Sequence, residues 1–192
     1  MIRIRRLAIS DITRIGEIDR SEHVTVGYTV RDGQLQAEAV DWRVPRWSAV
    51  GYGDHHVQTL VEKNLVTLEQ QSGVLFGAFH GDVLAGMAIL RPKLQDDMAQ
   101  LSFLHVSSGF RRQGIATRLV HAVFELAGEL GGRRIYVSST PSGSAVGFYL
   151  SQGFQLADAV HPELYALEPD DIHMIKPLNC TAAGQDVNDR HD

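Results

Sequence analysis

One stretch of this 192-residue chain restricts what it can fold into more than any other: Val106-Ser-Ser-Gly-Phe-Arg111-Arg112-Gln113-Gly114-Ile115-Ala116. Residues 99–106 before it are largely apolar and read as a strand. After it, Ile115, Leu119, Val123, Leu126, Ala127 and Leu130 fall on one face of a helix predicted over 113–130, which Gly131-Gly132 terminates. Gly114 and the small Ala116 let the backbone pass close to a ligand, and the first amides of such a helix point outward unsatisfied. Those amides and the helix dipole make a natural phosphate site. The loop is neither a Walker loop, which ends in Gly-Lys-Ser/Thr, nor a Rossmann fingerprint, since Gly-x-Gly-x-x-Gly is absent. Alone, Arg-x-x-Gly-x-Ala is explained about as well by a plain loop-to-helix junction.

The rest of the chain reads as α/β with a mixed sheet. Ile2, Ile4 and Leu7 suggest a short first strand. Ser10-Asp11 suggests the N-cap of a helix carrying Ile12, Ile15 and Ile18. Residues 24–43 alternate like a hairpin about Asp32-Gly33, and Asp54 opens a helix with Val57, Leu60, Val61, Leu65 and Leu68 on one face. Strands are predicted at Val74–Phe79 and Val83–Leu90, joined at His80-Gly81-Asp82, then at Arg134–Ser138, Phe154–Ala157 and Asp171–Lys176, with a helix at Ser142–Gln152. The polar stretch 179–192 lacks periodicity and is expected to be disordered.

Composition narrows the functional classes. With 44% hydrophobic and 21% charged residues there is enough apolar surface for a core. The net charge of −5 gives no global drive toward nucleic acid or an anionic membrane. Cys180, the single cysteine, makes neither an internal disulfide nor a thiolate metal site. The adjacent His55-His56 diverge at a helix start with no carboxylate pattern, so no metal is expected. No apolar run approaches the ~20 residues of a membrane helix, and Met1–Arg6 lacks a following apolar stretch, so a cytoplasmic location is expected. Asn179-Cys180-Thr181 matches a glycosylation sequon that a cytoplasmic chain does not use.

A second segment, Ser142-Gly-Ser-Ala145-Val-Gly-Phe148-Tyr149-Leu-Ser-Gln-Gly153-Phe154, changes the weight of the first. Together they resemble the Gcn5-related N-acetyltransferase superfamily. Its first motif is Arg/Gln-x-x-Gly-x-Gly/Ala, and its second is Asn-x-x-Ala-x-x-x-Tyr ending in Gly-Phe. The resemblance is firm over 73–157 and looser over 2–20. It implies a single domain over 1–178 whose mixed sheet holds a splayed strand pair, with 24–50 as an inserted hairpin-like segment. It also implies acetyl-CoA as co-substrate, its pyrophosphate on the amides of Arg111, Arg112, Gln113, Gly114, Ile115, Ala116 and Thr117, beside Leu104, His105 and Val106. The Val106 amide would serve the thioester carbonyl. Tyr149 matches the tyrosine that protonates or hydrogen-bonds the leaving thiolate, the competing role being packing on the sheet. Ser142 replaces the usual asparagine, which puts a side-chain bond to the cofactor from that position in doubt.

The acceptor side is less determined. Counting back in twos from Val106 gives Leu104, Ser102 and Gln100, none of them a base; Gln100 and Ser102 would at most order a water, and His105 falls on the opposite face. Glu22 and His23 are alternatives. Tyr28, Trp42, Arg43, Arg46 and Trp47 in the hairpin-like segment read equally as lining for an acceptor pocket or as cover for the core and a homodimer contact. The expected activity is acetyl transfer to a primary amine, on a small molecule or a peptide, by direct attack; the alternative is a non-catalytic acyl-CoA sensor of the same fold.

Overall fold

Runs such as Val74–Phe79 and Val83–Leu90 are continuous rather than alternating, which suits strands covered on both faces. The computed structural model, which describes residues 1–47 and 55–178, bears this out. Its strands are β1 (Ile2–Arg6), β2 (Glu22–Arg31), β3 (Gln34–Val44), β4 (Val74–His80), β5 (Val83–Gln95), β6 (Met98–Val106), β7 (Arg134–Ser139), β8 (Gln155–Leu156) and β9 (Ile172–Pro177). Its α-helices are α1 (His55–Leu65), α2 (Ile115–Glu129), α3 (Gly143–Ser151) and α4 (Pro162–Leu167). Seven strands form one mixed sheet in the order β1-β4-β5-β6-β7-β9-β8, and β2–β3 form a separate hairpin.

Each face of the sheet has its own core. Leu119, Val120, Val123 and Ala127 of α2 pack over Ala88, Leu90, Ala99 and Leu101. On the other face Ile12, Ile15, Val57 and Val61 pack over Leu75, Met87, Ile89 and Phe103. Each fully buried aliphatic side chain contributes about 1.5–3 kcal/mol.

Several boundaries depart from the sequence reading. The first helix is a 3-10 helix over Ile9–Glu17, and a spacing of three between Ile12, Ile15 and Ile18 suits its three residues per turn. Its cap is Ala8 rather than Ser10-Asp11; the Asp11 carboxylate accepts the Ala8 N–H at 3.1 Å. β5 runs on to Gln95, past Leu90, and the closing strand after Phe154 shrinks to Gln155–Leu156. α4 was not anticipated. The hairpin is as expected: Asp32 and Gly33 both have positive φ, 50° and 72°, as a tight turn between twisted strands requires. The expected helix start at Asp54 and the polar stretch 179–192, with Cys180, lie outside the described residues.

Two irregularities in β6 position the site. Its parallel pairing with β7 covers only Met98–Arg134, Ala99–Ile135 and Gln100–Tyr136, after which the strands part. On the β5 side the register shifts between Ile89–Phe103 and Leu90–Leu101, leaving Ser102 as a bulge. A count in twos therefore fails at Ser102. Leu104 and Val106 share the α2 face with Leu101, whereas Gln100 lies on the opposite face with Phe103 and His105.

Candidate functional site

The loop after β6 is built to expose backbone donors. The Ser107 N–H is anchored on the Ala85 carbonyl at 2.9 Å, and Ser108–Phe110 make one 3-10 turn. Arg112 and Gly114 then adopt left-handed conformations, φ 63° and 73°, and α2 starts at Ile115. Because the first helical bond runs from Arg118 N–H to Gly114 O, the N–H groups of Ile115, Ala116 and Thr117 have no intrahelical acceptor. They lie at the positive end of a 15-residue helix, where an anion is favoured. Gly114 is needed because a side chain in that conformation costs about 1–2 kcal/mol.

Where β6 and β7 part, a cavity of about 760 Å³ opens. It joins the start of α2 to the walls made by the hairpin, α1, α3 and the turn before β9. Of the residues expected at the cofactor, Leu104, His105, Val106, Arg111 and Arg112 line it, and so do Gly114, Ile115, Ala116, Thr117, Ser142 and Tyr149. Gln113 is exposed and does not. The Ser142 hydroxyl caps α3 by accepting the Ala145 N–H at 3.3 Å and contacts Ser144 Oγ at 3.2 Å.

The residues expected at the acceptor divide. Glu22, Trp42 and Ser102 line the cavity. Tyr28 does not: its ring packs on the main core while its N–H reaches the Pro141 carbonyl at 2.9 Å. Arg46 is 74% exposed and pairs with Asp19 at 3.1 Å. Gln100 is buried below the point where the strands part, away from the cavity. His23 contacts Asp41 at 2.5 Å on the outer surface. The two tryptophans separate too: Trp42 faces the cavity, whereas Trp47 is buried edge-on to His105, ring centroids 5.4 Å apart.

Three titratable groups that line the cavity, His105, Tyr149 and Asp171, ionise away from their ordinary values. His105 lies between Trp47 and Phe103, and burial, reinforced by Arg111 and Arg20, lowers its imidazole to about 4, so it is neutral at physiological pH. Tyr149 packs edge-on against Phe148 and Phe154 at 5.4 and 5.3 Å while also reaching the cavity. Burial first, and Asp171 second, push its phenol up, so it stays protonated. Asp171 is pushed up to about 6 by burial, with Glu168 and Asp170 adding and Lys63 opposing. Among the described residues its carboxylate has no hydrogen-bond or ion-pair partner, whereas Glu168 is bonded to Lys63 of α1.

Lys63 has no signal in the sequence, and Glu168-Pro-Asp-Asp171-Ile-His173, though distinctive there, reads as a polar turn entering the last strand. Only the placement of β9 between β7 and β8 brings that turn to the cavity.

The sequence profile of the acetyltransferase (GNAT) family matches residues 37–154. No curated protein matches the chain. Among solved structures, a nourseothricin acetyltransferase superposes with a TM-score of 0.68 at 19% identity, over 93% of this chain and 99% of that one. A PaiA N-acetyltransferase from Thermoplasma acidophilum, solved with coenzyme A, gives 0.59 at 19% identity, over 92% and 99%. The ribosomal-protein-S18-alanine N-acetyltransferase from Escherichia coli gives 0.57 at 17% identity, over 97% and 99%. At such identities the superpositions establish the shared architecture, and with the profile match over more than half its length the chain belongs to the GNAT acetyltransferase family.

Proposed function

We propose that this protein transfers the acetyl group of acetyl-CoA to a primary amine by direct attack. The observation that carries this reading is the parting of β6 and β7, which opens one cavity from the exposed amides of α2 to the titratable groups beside Tyr149. The groups present suit acetyl-CoA: unpaired N–H donors at Ile115–Thr117 for the pyrophosphate, and a cleft between two strands for the extended pantetheine arm. When bound, the thioester supplies the activated acyl carbon.

This chain's own residues supply the rest. The Val106 amide, on the strand segment past the splay, is the donor for charge developing on the thioester oxygen. Asp171 takes a proton from the incoming ammonium, for which its raised affinity suits it, and leaves a neutral amine to attack. Tyr149, held protonated by its surroundings, gives its proton to the departing thiolate as the C–S bond breaks and the C–N bond forms, and the second proton that the nitrogen loses on becoming an amide restores the phenol. His105 is neutral and aromatic-packed, and orders the wall between Trp47 and the attacking amine. Cys180 lies outside both motifs in the sequence, which argues against a thioester on the enzyme and supports direct attack.

The test is release of free CoA from acetyl-CoA across a panel of primary amines, with acetyl-CoA affinity measured alongside by calorimetry. Amine-dependent release is expected. Tight binding with no release from any amine identifies a sensor instead.

A further inference from the structure

Arg111 belongs to the loop that the family resemblance assigns to phosphate binding, yet its side chain turns away from the exposed amides. Nε donates to the Val106 carbonyl at 3.2 Å and Nη2 to the Arg20 carbonyl at 3.1 Å. Nη1 lies 3.2 Å from Glu22 Oε2. A forked grip on a phosphate needs two neighbouring N–H groups aimed the same way. Here the Nε–Nη2 edge holds two carbonyls and Nη1 a carboxylate, so each nitrogen of the head is engaged by the protein and three of the five N–H groups are spent on it.

What it holds is the short link between the 3-10 helix and β2. That link is stitched to the same loop a second time. The Ser108 N–H donates to the Asp19 carbonyl at 2.8 Å, Ser108 Oγ to Asp19 Oδ2 at 2.9 Å, and the Asp19 N–H to Ser107 Oγ at 3.0 Å. The link ends at Glu22, a cavity-lining carboxylate at the mouth of the hairpin. The clamp thus joins the end of β6, where the acyl group is handled, to the hairpin wall.

We infer that Arg111 is a positioning residue for the acceptor and not a ligand of the cofactor phosphates: it fixes Glu22 and the start of β2 against the end of β6. Its acceptor half rests on the acetyl-transfer reading above. Phosphate binding is left to the backbone of Arg112–Thr117, which no side-chain change at 111 removes.

The test compares Arg111→Met, Arg111→Lys, Glu22→Gln and the Arg111→Met/Glu22→Gln double variant. Three quantities are measured: acetyl-CoA affinity by calorimetry, KM and kcat for an active amine by CoA release, and amide hydrogen exchange over residues 19–24. Arg111→Met should keep acetyl-CoA affinity within about threefold while raising the amine KM about tenfold, with kcat less affected. Glu22→Gln should do the same, and the double variant should be no worse than the poorer single one, since one contact is removed twice. Arg111→Lys, which keeps the charge but reaches fewer acceptors, should fall between, and it stands in if Arg111→Met does not fold. A tenfold loss of acetyl-CoA affinity at unchanged amine KM overturns the inference, as do additive effects in the double variant. If no amine is turned over by the wild type, the acetyl-transfer reading fails on its own. Arg111 is then judged by whether exchange over 19–24 quickens while acetyl-CoA affinity holds, or affinity falls while exchange does not change.

Discussion

Replacing Asp171 with asparagine should make this protein more stable and less active, and the two effects have separate pH signatures. In the folded state the carboxyl is pushed up to about 6 by burial and by Glu168 and Asp170, against an ordinary value of 3.8. A carboxyl raised on folding binds its proton more tightly folded than unfolded. Its stabilising contribution is therefore present below about pH 4 and is lost as pH rises through about 6. At neutral pH the native chain holds an ionised carboxylate that is poorly solvated and has no hydrogen-bond partner among the described residues. The rise from 3.8 to about 6 corresponds to about 3 kcal/mol as a ceiling. The carboxyl keeps some contact with water, so about 1–2 kcal/mol is the better expectation. For a chain of this length that is an increase in Tm of about 2–8 °C at neutral pH. The gain should fade toward about pH 4, where the wild type is already neutral. If Asp171 accepts the ammonium proton, kcat/KM for the amine should fall by about 10²-fold, and the acid limb near pH 6 should vanish from the profile. Differential scanning calorimetry and CoA-release kinetics on the two proteins across pH 4–9 give both numbers. A Tm that is unchanged or lower at neutral pH refutes the burial of the charge. Full turnover with the acid limb intact refutes the proton-transfer role and leaves the neutral His105 as the group to replace next.

Gly114→Asp introduces a side chain where φ is 73° and a negative charge beside the unpaired amides, so acetyl-CoA affinity should fall by at least about 100-fold; calorimetry showing wild-type affinity would mean the phosphate site is elsewhere. Tyr149→Phe keeps the ring between Phe148 and Phe154, and should lower kcat by about 10²-fold or more with little change in the acetyl-CoA KM; a lower Tm with undiminished turnover would leave Tyr149 a packing residue only. Trp42→Ala strips a cavity wall and should raise the amine KM several-fold, whereas Arg46→Ala, which removes only an exposed pair with Asp19, should change it by less than about twofold. Equal kinetic effects from these two would remove Trp42 from the acceptor wall.

What could be read from the chain alone follows the range of the forces involved. The loop-to-helix junction at 106–116, the tight turn at Asp32-Gly33 and the glycine after α3 are local chemistry, and each sits where its residues indicated. The parting of β6 and β7 came from family resemblance, since no feature of either strand states that their pairing ends at Gln100–Tyr136. The facing of β6 departs from simple alternation for a definite reason: alternation assumes a regular strand, and the bulge at Ser102 inverts it, moving Gln100 off the face of Val106. Asp171 reads in the sequence as part of a polar turn, because its placement depends on strand order, which puts a turn late in the sequence against α3 and α1. Arg111 was placed in the right loop, but where its side chain turns depends on Arg20 and Glu22, some ninety residues earlier.

Beside the packing of Tyr28 on the core and the Arg111–Glu22 contact, main-chain groups fasten the hairpin across the cleft. The Tyr28 N–H bonds to the Pro141 carbonyl, and Gly27 bridges to Ser142 at the start of α3. Gly143 leaves no room there for more, since an added Cβ would lie 3.0 Å from Val26 Cβ. Backbone bonds of this kind do not depend on which side chains the strands carry. The bonds to 140–142 therefore do not use the side chains of Trp42 and Val44, which β3 turns to the cavity, although Trp42 lies against Gly27. For protein engineering this makes the hairpin an exchangeable cartridge. Its inward residues can be randomised to seek new acceptors while the fastening to 140–142 and the phosphate loop remain untouched, so a library confined to those positions should retain acetyl-CoA binding in most of its members.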